Sequence, residues 1–292
     1  MCMAAPPPCM SALVSQSRER SGWALPRVLA IGGSDSSCGA GIQADLQSIA
    51  ANGGHPVTAV TAVTAQHSRG VAVSSPLDPA LVAAQVAAAY ADAPPAAVKT
   101  GMLASRVTVE ALARQFRDAP PPILVVDPVI CASSGLALLD QTGIEALCAR
   151  LLPLATLVTP NVPEAEALSG IEVHTPGDAE EAGRRILALG ARAVLVKGGH
   201  LAAAPATDVL VTTAGVLVFG GSHIRGREVH GTGCTYASAI TTHLAHGCSL
   251  EDAIRAAKGY VEAVIGTAVR VGTGAFMADH LAAARVAWED AP

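Results

Sequence analysis

Arg27-Val28-Leu29-Ala30-Ile31, then the loop Gly32-Gly33-Ser34-Asp35-Ser36-Ser37-Cys38-Gly39-Ala40-Gly41, then a segment of helical spacing over 40–51, decide how the rest of the chain is read. A short apolar run rich in β-branched residues gives way, across a glycine-containing loop, to an amphipathic helix. The same alternation recurs downstream, with strand candidates at 57–64, 97–100, 123–126, 157–159 and 193–196. Each is separated from the next by enough residues for a crossover helix, so the chain reads as α/β with a mostly parallel, doubly wound sheet. The pattern then changes. Residues 208–212 and 216–219 flank an Ala214-Gly215 turn signal and predict an antiparallel hairpin at the sheet edge. Helical spacing follows over 233–245, 250–269 and 275–288.

Composition bounds the possibilities. With 292 residues, 51% hydrophobic and 15% charged, the chain can bury a large core. In the absence of an internal repeat or compositional break, residues 25–290 are expected to form one domain. Residues 1–24 contain Pro6-Pro7-Pro8 and Arg18-Glu19-Arg20, without the basic start and apolar stretch of a signal peptide, and are expected to form a disordered tail. The net charge of -5 and the scattered basic residues leave no footprint for nucleic acid or an anionic membrane. The uncharged region within 229–250 is interrupted by Thr, Ser, His and Gly and does not read as a membrane span. Seven cysteines without a C-x-x-C pair point to a reducing, cytoplasmic setting without structural zinc. Lysine occurs only at Lys99, Lys197 and Lys258, so each is informative.

His230-Gly231-Thr232-Gly233-Cys234 precedes an apolar helix. Small residues there let several unpaired N–H groups converge at the positive end of a helix dipole, which makes an anion site. A thiol in that field is expected to have a lowered pKa, so Cys234 could act as base or nucleophile. Equally open is a structural turn capped by Thr232, with Cys234 as a small buried residue. The loop 32–41 offers Gly39-Ala40-Gly41-Ile42-Gln43-Ala44 as a loose dinucleotide fingerprint, but it starts too far from the strand, and Gln66-His67 stand where an acidic residue is needed. A P-loop motif is missing too, which leaves a substrate loop at the carboxyl end of the sheet. Asn161 and Glu164 in Thr159-Pro160-Asn161-Val162-Pro163-Glu164 match either a capping box or two oxygens organising hydrated Mg²⁺. Lys197, ending a strand before Gly198-Gly199, suits a phosphate contact. Asp127 in Asp127-Pro128-Val129 is either structurally paired or placed near reacting phosphates.

Together these stretches, with Thr64-Ala65-Gln66 and Lys99-Thr100-Gly101-Met102-Leu103, resemble the hydroxymethylpyrimidine/phosphomethylpyrimidine kinase family of thiamine biosynthesis, over residues 27 to about 269. The resemblance implies a ribokinase-like three-layer α/β/α fold, a homodimer, ATP and Mg²⁺ as cofactors, and a small-molecule pyrimidine as substrate. By position it implies that Gln66 meets the aminopyrimidine edge, that Asp45 bonds the hydroxymethyl or ring side, and that Gly33, Met102 and Val129 line the ring pocket. It further implies that Gly231, Thr232, Gly233 and Cys234 hold the transferring phosphoryl group with Lys197. Asn161 and Thr232 would hold nucleotide phosphates, and Asn161, Glu164 and Asp127 would organise Mg²⁺ through water. Ser36 and Cys38 replace the proline and glycine usual in the first loop, Ile130-Cys131 differ after Asp-Pro-Val, and 271–276 lack the usual closing glycine-proline. Pyridoxal kinase shares the fold and is the nearest alternative; a non-catalytic pyrimidine-binding protein and a thiol-dependent hydrolase are others.

Overall fold

The computed structural model describes residues 25–132, 135–199, 206–221 and 228–289. The expectation for residues 1–24 lies outside them. The strands are β1 (Arg27–Asp35), β2 (His55–His67), β3 (Gly70–Pro76), β4 (Ala97–Thr100), β5 (Leu124–Val126), β6 (Leu157–Val158), β7 (Ala193–Val196), β8 (Asp208–Thr212) and β9 (Gly215–Phe219). The helices are α1 (Gly41–Ala51), α2 (Pro79–Asp92), α3 (Arg106–Asp118), α4 (Gln141–Ala146), α5 (Val162–Ser169), α6 (Pro176–Leu187), α7 (Thr232–Ala245), α8 (Leu250–Thr267) and α9 (His280–Glu289).

All strands join one sheet in the order β3-β2-β1-β4-β5-β6-β7-β8-β9. Neighbours from β2 through β1 to β7 are parallel, while β3 pairs antiparallel at one edge and β8 and β9 at the other. Side-chain alternation sends successive strand residues into two helical layers. Leu29 and Ile31 of β1, with Leu124 and Val126 of β5, pack against Leu112 and Phe116 of α3 and Ile186 of α6. On the opposite face Val125 and Leu195 meet Ile240 of α7 and Ile254 of α8, and Val28 and Ala30 meet Ile49 of α1. This is the ribokinase-like three-layer arrangement that the resemblance implies.

The order in which strands are added reverses between β1 and β4: the first crossover places β2 on one side of β1, and the chain then returns to place β4, still parallel, on the other. In open α/β sheets this switch point opens a crevice at the carboxyl ends of the strands. A register shift between Gly32 and Gly33 bends β1 there, and the Thr61 hydroxyl on the facing strand donates to the Met102 carbonyl at 2.6 Å.

The structure changes three expectations. β3 is an additional edge strand that is not among the strand candidates; most of its side chains face outward, so it carries no long apolar run. The last helix starts at His280, because Phe276 and Met277 are drawn into bridges with Val229 and Val269. At the 230–234 motif the cap is Gly231 (φ 80°), with Thr232 already in the first turn. A side chain on Gly231 would overlap the Gly39 carbonyl, so the left-handed turn and the close approach of the two loops both require glycine.

Candidate active site

A cleft of about 850 Å³ opens at the switch point. Two helix starts converge in it: Gly41 at the start of α1 and Cys234 in the first turn of α7 both line it. Among the described residues no side chain caps α7, so its first N–H groups are free for an anion.

Lys197 completes this end of the cleft. Its ammonium lies beside Gly233 and donates to Asp127 Oδ1 at 2.7 Å, which also accepts from the Thr159 hydroxyl at 3.0 Å. Burial opposes charge on Asp127, but Lys197 and Lys99 outweigh it and hold the carboxyl below its ordinary range. Burial likewise opposes the Lys197 charge, and Asp127 and Glu164 outweigh it upward. A cation held this firmly beside a helix start can neutralise a phosphoryl group without rearranging.

Asn161 and Glu164 form the reciprocal capping box at the start of α5, so the structural reading of that motif is realised. It does not exhaust Glu164, whose carboxyl lines the cleft at 6% exposure. Burial pushes it up to about 7, with Lys197 pulling down and Asp127 pushing further up. Among the described residues no three His, Cys, Asp or Glu side chains gather to cage a metal ion. Two crowded carboxylates at the anion end nevertheless match Mg²⁺, which keeps most of its water and is shared between one or two carboxylates and substrate phosphates.

Cys234 departs from expectation. It touches the cleft yet lies deep, and burial pushes its thiol up to about 11, against the downward pull of Lys99. Burial outweighs the pull of Lys99, which favours the neutral thiol. Alkylation at pH 7.5 followed by mass spectrometry should modify exposed Cys38 and Cys131 first, with Cys234 catching up only in strong alkali; early modification of Cys234 would contradict this assignment.

Asp45 has partners that its sequence neighbours did not reveal. It is fully buried beneath the cleft, and its oxygens accept from Lys99 Nζ at 2.8 and 3.0 Å and from the Ser238 hydroxyl at 2.8 Å. It is therefore the partner of a buried lysine, at a position that also borders the cleft. Lys258 repeats the pattern, donating at 2.6 Å to Asp208 Oδ2, which also accepts from the Tyr236 hydroxyl, while Asp208 Oδ1 accepts from the Gly198 N–H beside Lys197. Every lysine of the chain thus stands on this cleft, each against an aspartate. Sequence reading missed Lys258, Asp208 and Tyr236, although the scarcity of lysine was a signal that pointed to the first.

Gln66, Gly33, Met102 and Val129 line the same cleft. Met102 is 8% exposed and its sulfur packs on Gly33, where a side chain would collide with it. The Gln66 backbone is pinned by Ser36, whose hydroxyl donates to its carbonyl and accepts from its N–H. Its side chain reaches Thr64 and His230. Asp35 lies alongside, accepting from the Ser37 and Ala40 N–H groups; burial opposes its charge, but these bonds and His230 outweigh it and lower its pKa. The unusual Cys38 has φ 62°, which explains why glycine suits that position.

An anion cradle with a fixed lysine, facing a pocket with an amide and a thioether wall on a three-layer α/β/α scaffold, defines a ribokinase-like kinase of small molecules. The family described as phosphomethylpyrimidine kinase matches residues 35–279, and the chain belongs to it. The chain is 45% identical over 257 residues to the thiamine biosynthesis bifunctional protein ThiED of Geobacter sulfurreducens, matching 88% of this chain but spanning only about half, 52%, of that relative. It is 43% identical over 255 residues to the hydroxymethylpyrimidine/phosphomethylpyrimidine kinase of Streptomyces coelicolor, covering 87% of this chain and 94% of that one. Among solved structures, the phosphomethylpyrimidine kinase of Clostridium difficile aligns with TM-score 0.73 at 40% identity, over 81% of this chain and 98% of that one. The ADP complex of Bacillus subtilis pyridoxal kinase aligns with TM-score 0.82 at 34% identity, over 89% and 98%. Among the described residues no helix is long and apolar enough to cross a membrane.

Proposed function

We propose that the protein transfers the γ-phosphoryl group of ATP to 4-amino-5-hydroxymethyl-2-methylpyrimidine and then to the resulting monophosphate, giving the diphosphate for thiamine biosynthesis. Residues 25–290 act as one kinase domain, in the cytoplasm and as a homodimer. The observation that carries this reading is one cleft holding Lys197 and two helix starts together with Gln66 and Met102. The N–H groups of Gly231 to Cys234 and the Lys197 ammonium bind the transferring group as negative charge spreads over its oxygens. Asn161 and Thr232 would face the nucleotide phosphates, and Asp127 and Glu164, with Asn161, would hold a hydrated Mg²⁺, which would supply neutralisation of phosphate charge.

Since phosphoryl transfer passes through a loose transition state, placement and charge dominate, and the neutral Cys234 thiol need not take the hydroxyl proton. Cys234→Ala is accordingly expected to slow both phosphorylations by similar, less than about tenfold, factors. Selective loss of the first, measured by single-turnover kinetics on each acceptor, would restore the base.

Gln66→Ala should raise the KM for the pyrimidine by about 10- to 100-fold, because a buried edge loses its partner, and leave the KM for ATP unchanged. Equal effects on both substrates would remove Gln66 from the acceptor pocket. A second reading, pyridoxal kinase, is favoured by the likeness to the Bacillus subtilis enzyme. Gln66 beside Met102 favours the pyrimidine, since an amide presents a donor and an acceptor in one plane, as an amino group next to a ring nitrogen requires.

A further inference from the structure

Two side-chain nitrogens, Gln66 Nε2 and His230 Nε2, stand 2.6 Å apart at the mouth of the cleft, and His230 Nε2 also lies 3.2 Å from Asp35 Oδ2. An ionised carboxylate only accepts, so the proton belongs on His230 Nε2. An amide NH₂ only donates, so a close contact with that N–H requires the amide to turn its oxygen toward His230. Thr64 fits the same assignment. Its hydroxyl is 3.0 Å from the Ser34 carbonyl, which can only accept, and 3.2 Å from the Gln66 amide. Having donated its proton to Ser34, Thr64 accepts one N–H of the turned amide, which leaves the other for the acceptor pocket.

We infer that His230 is a positioning residue for substrate recognition: held by Asp35, its Nε2–H fixes Gln66 with the amide oxygen toward the histidine and one amide N–H toward the acceptor pocket. This rests on the proposed pyrimidine pocket and adds what sets the order of donor and acceptor along it. The histidine is well placed to do so. Its backbone N–H is bonded to the Phe276 carbonyl at 2.9 Å, its side chain is 13% exposed, and its ring packs on Gly39, where a side chain would strike it. A free amide could present either face, whereas a held one rejects a ligand whose donor and acceptor are exchanged.

The test compares steady-state kinetics of the full-length chain with His230→Leu, which removes the donor, and His230→Gln, which carries an N–H at a similar reach. His230→Leu should raise the KM for the hydroxymethylpyrimidine about 10- to 100-fold, with the KM for ATP and kcat each within about threefold, and His230→Gln should recover most of the loss. An unchanged pyrimidine KM in His230→Leu, an equal rise for ATP, or no recovery in His230→Gln would each overturn the inference. Should His230→Leu fail to fold, His230→Asn, polar but too short to reach Gln66, takes its place with the same expected rise. If the unaltered enzyme does not turn over the pyrimidine, the proposed function falls; if it does and the variants match it, only the role of His230 falls.

Discussion

Replacing Lys197 with methionine is expected to lower kcat by about 10²- to 10³-fold, with a far smaller effect on the KM for the pyrimidine. The ammonium sits beside Gly233 at the start of α7, fixed by Asp127, so its charge is already in place when negative charge spreads over the transferring group. A preorganised charge acts mainly on the transition state, which is why the loss falls on kcat. Methionine keeps much of the volume, and Asp127 retains its bond from the Thr159 hydroxyl. Arginine should not restore the rate, since a planar fork cannot occupy the place of a compact ammonium between Asp127 and the helix start. Steady-state kinetics on folded protein, checked by circular dichroism, decide the matter. A kcat within a few-fold of the unaltered enzyme would take Lys197 out of the phosphoryl site.

Lys99→Met should act on stability, lowering the unfolding free energy by about 3–5 kcal/mol. Lys99 and Asp45 are both fully inaccessible, and the lysine is held above its ordinary pKa, burial opposing its charge while the Asp45 and Asp127 carboxylates favour it. Removing the cation strands a carboxylate whose remaining hydroxyl partner is Ser238. The double variant Lys99→Met/Asp45→Leu should recover most of the loss, since replacing both members of a buried pair by apolar groups removes the stranded charge. The raised lysine pKa contributes stability below about 10.5 that fades as pH climbs through the higher folded value, whereas burial raises the Asp45 pKa against the pull of Lys99 and so works against the pair above the ordinary carboxylate range. By contrast, exposed helical pairs such as Arg184–Glu180 are worth only about 0.3–0.5 kcal/mol. Urea unfolding followed by circular dichroism measures all of these. A single variant as stable as the parent would show that water or a rearranged Asp45 replaces the lysine.

Local signals made much of this legible in the sequence. The β4 and β7 runs are uninterrupted and short, so their bounds at 97–100 and 193–196 are those observed. The hairpin at β8 and β9 announced itself through a glycine turn between β-branched runs. β3 did not, because an exposed edge strand needs no apolar alternation, and its Val73 is 59% exposed. In the site, the placement of motifs that open a helix or end a strand was readable: Gly231 to Cys234 and Lys197 all line the cleft. What stayed hidden depends on distant partners. Nothing near Asp45 in the sequence reveals that Lys99 and Ser238 occupy its oxygens, and nothing near Cys234 reveals a desolvation large enough to outweigh the pull of Lys99. His230 looked like a bystander of the glycine motif; only the return of β2 to the mouth of the cleft brings Gln66 to it.

The central claim is that this cleft phosphorylates a hydroxymethylpyrimidine and its monophosphate. ATP consumption by the purified protein with Mg²⁺, offered hydroxymethylpyrimidine, its monophosphate and pyridoxal in parallel, tests it most directly. Turnover of both pyrimidines, with pyridoxal the poorer acceptor, is the predicted result; turnover of pyridoxal alone, or of none of the three, would contradict it.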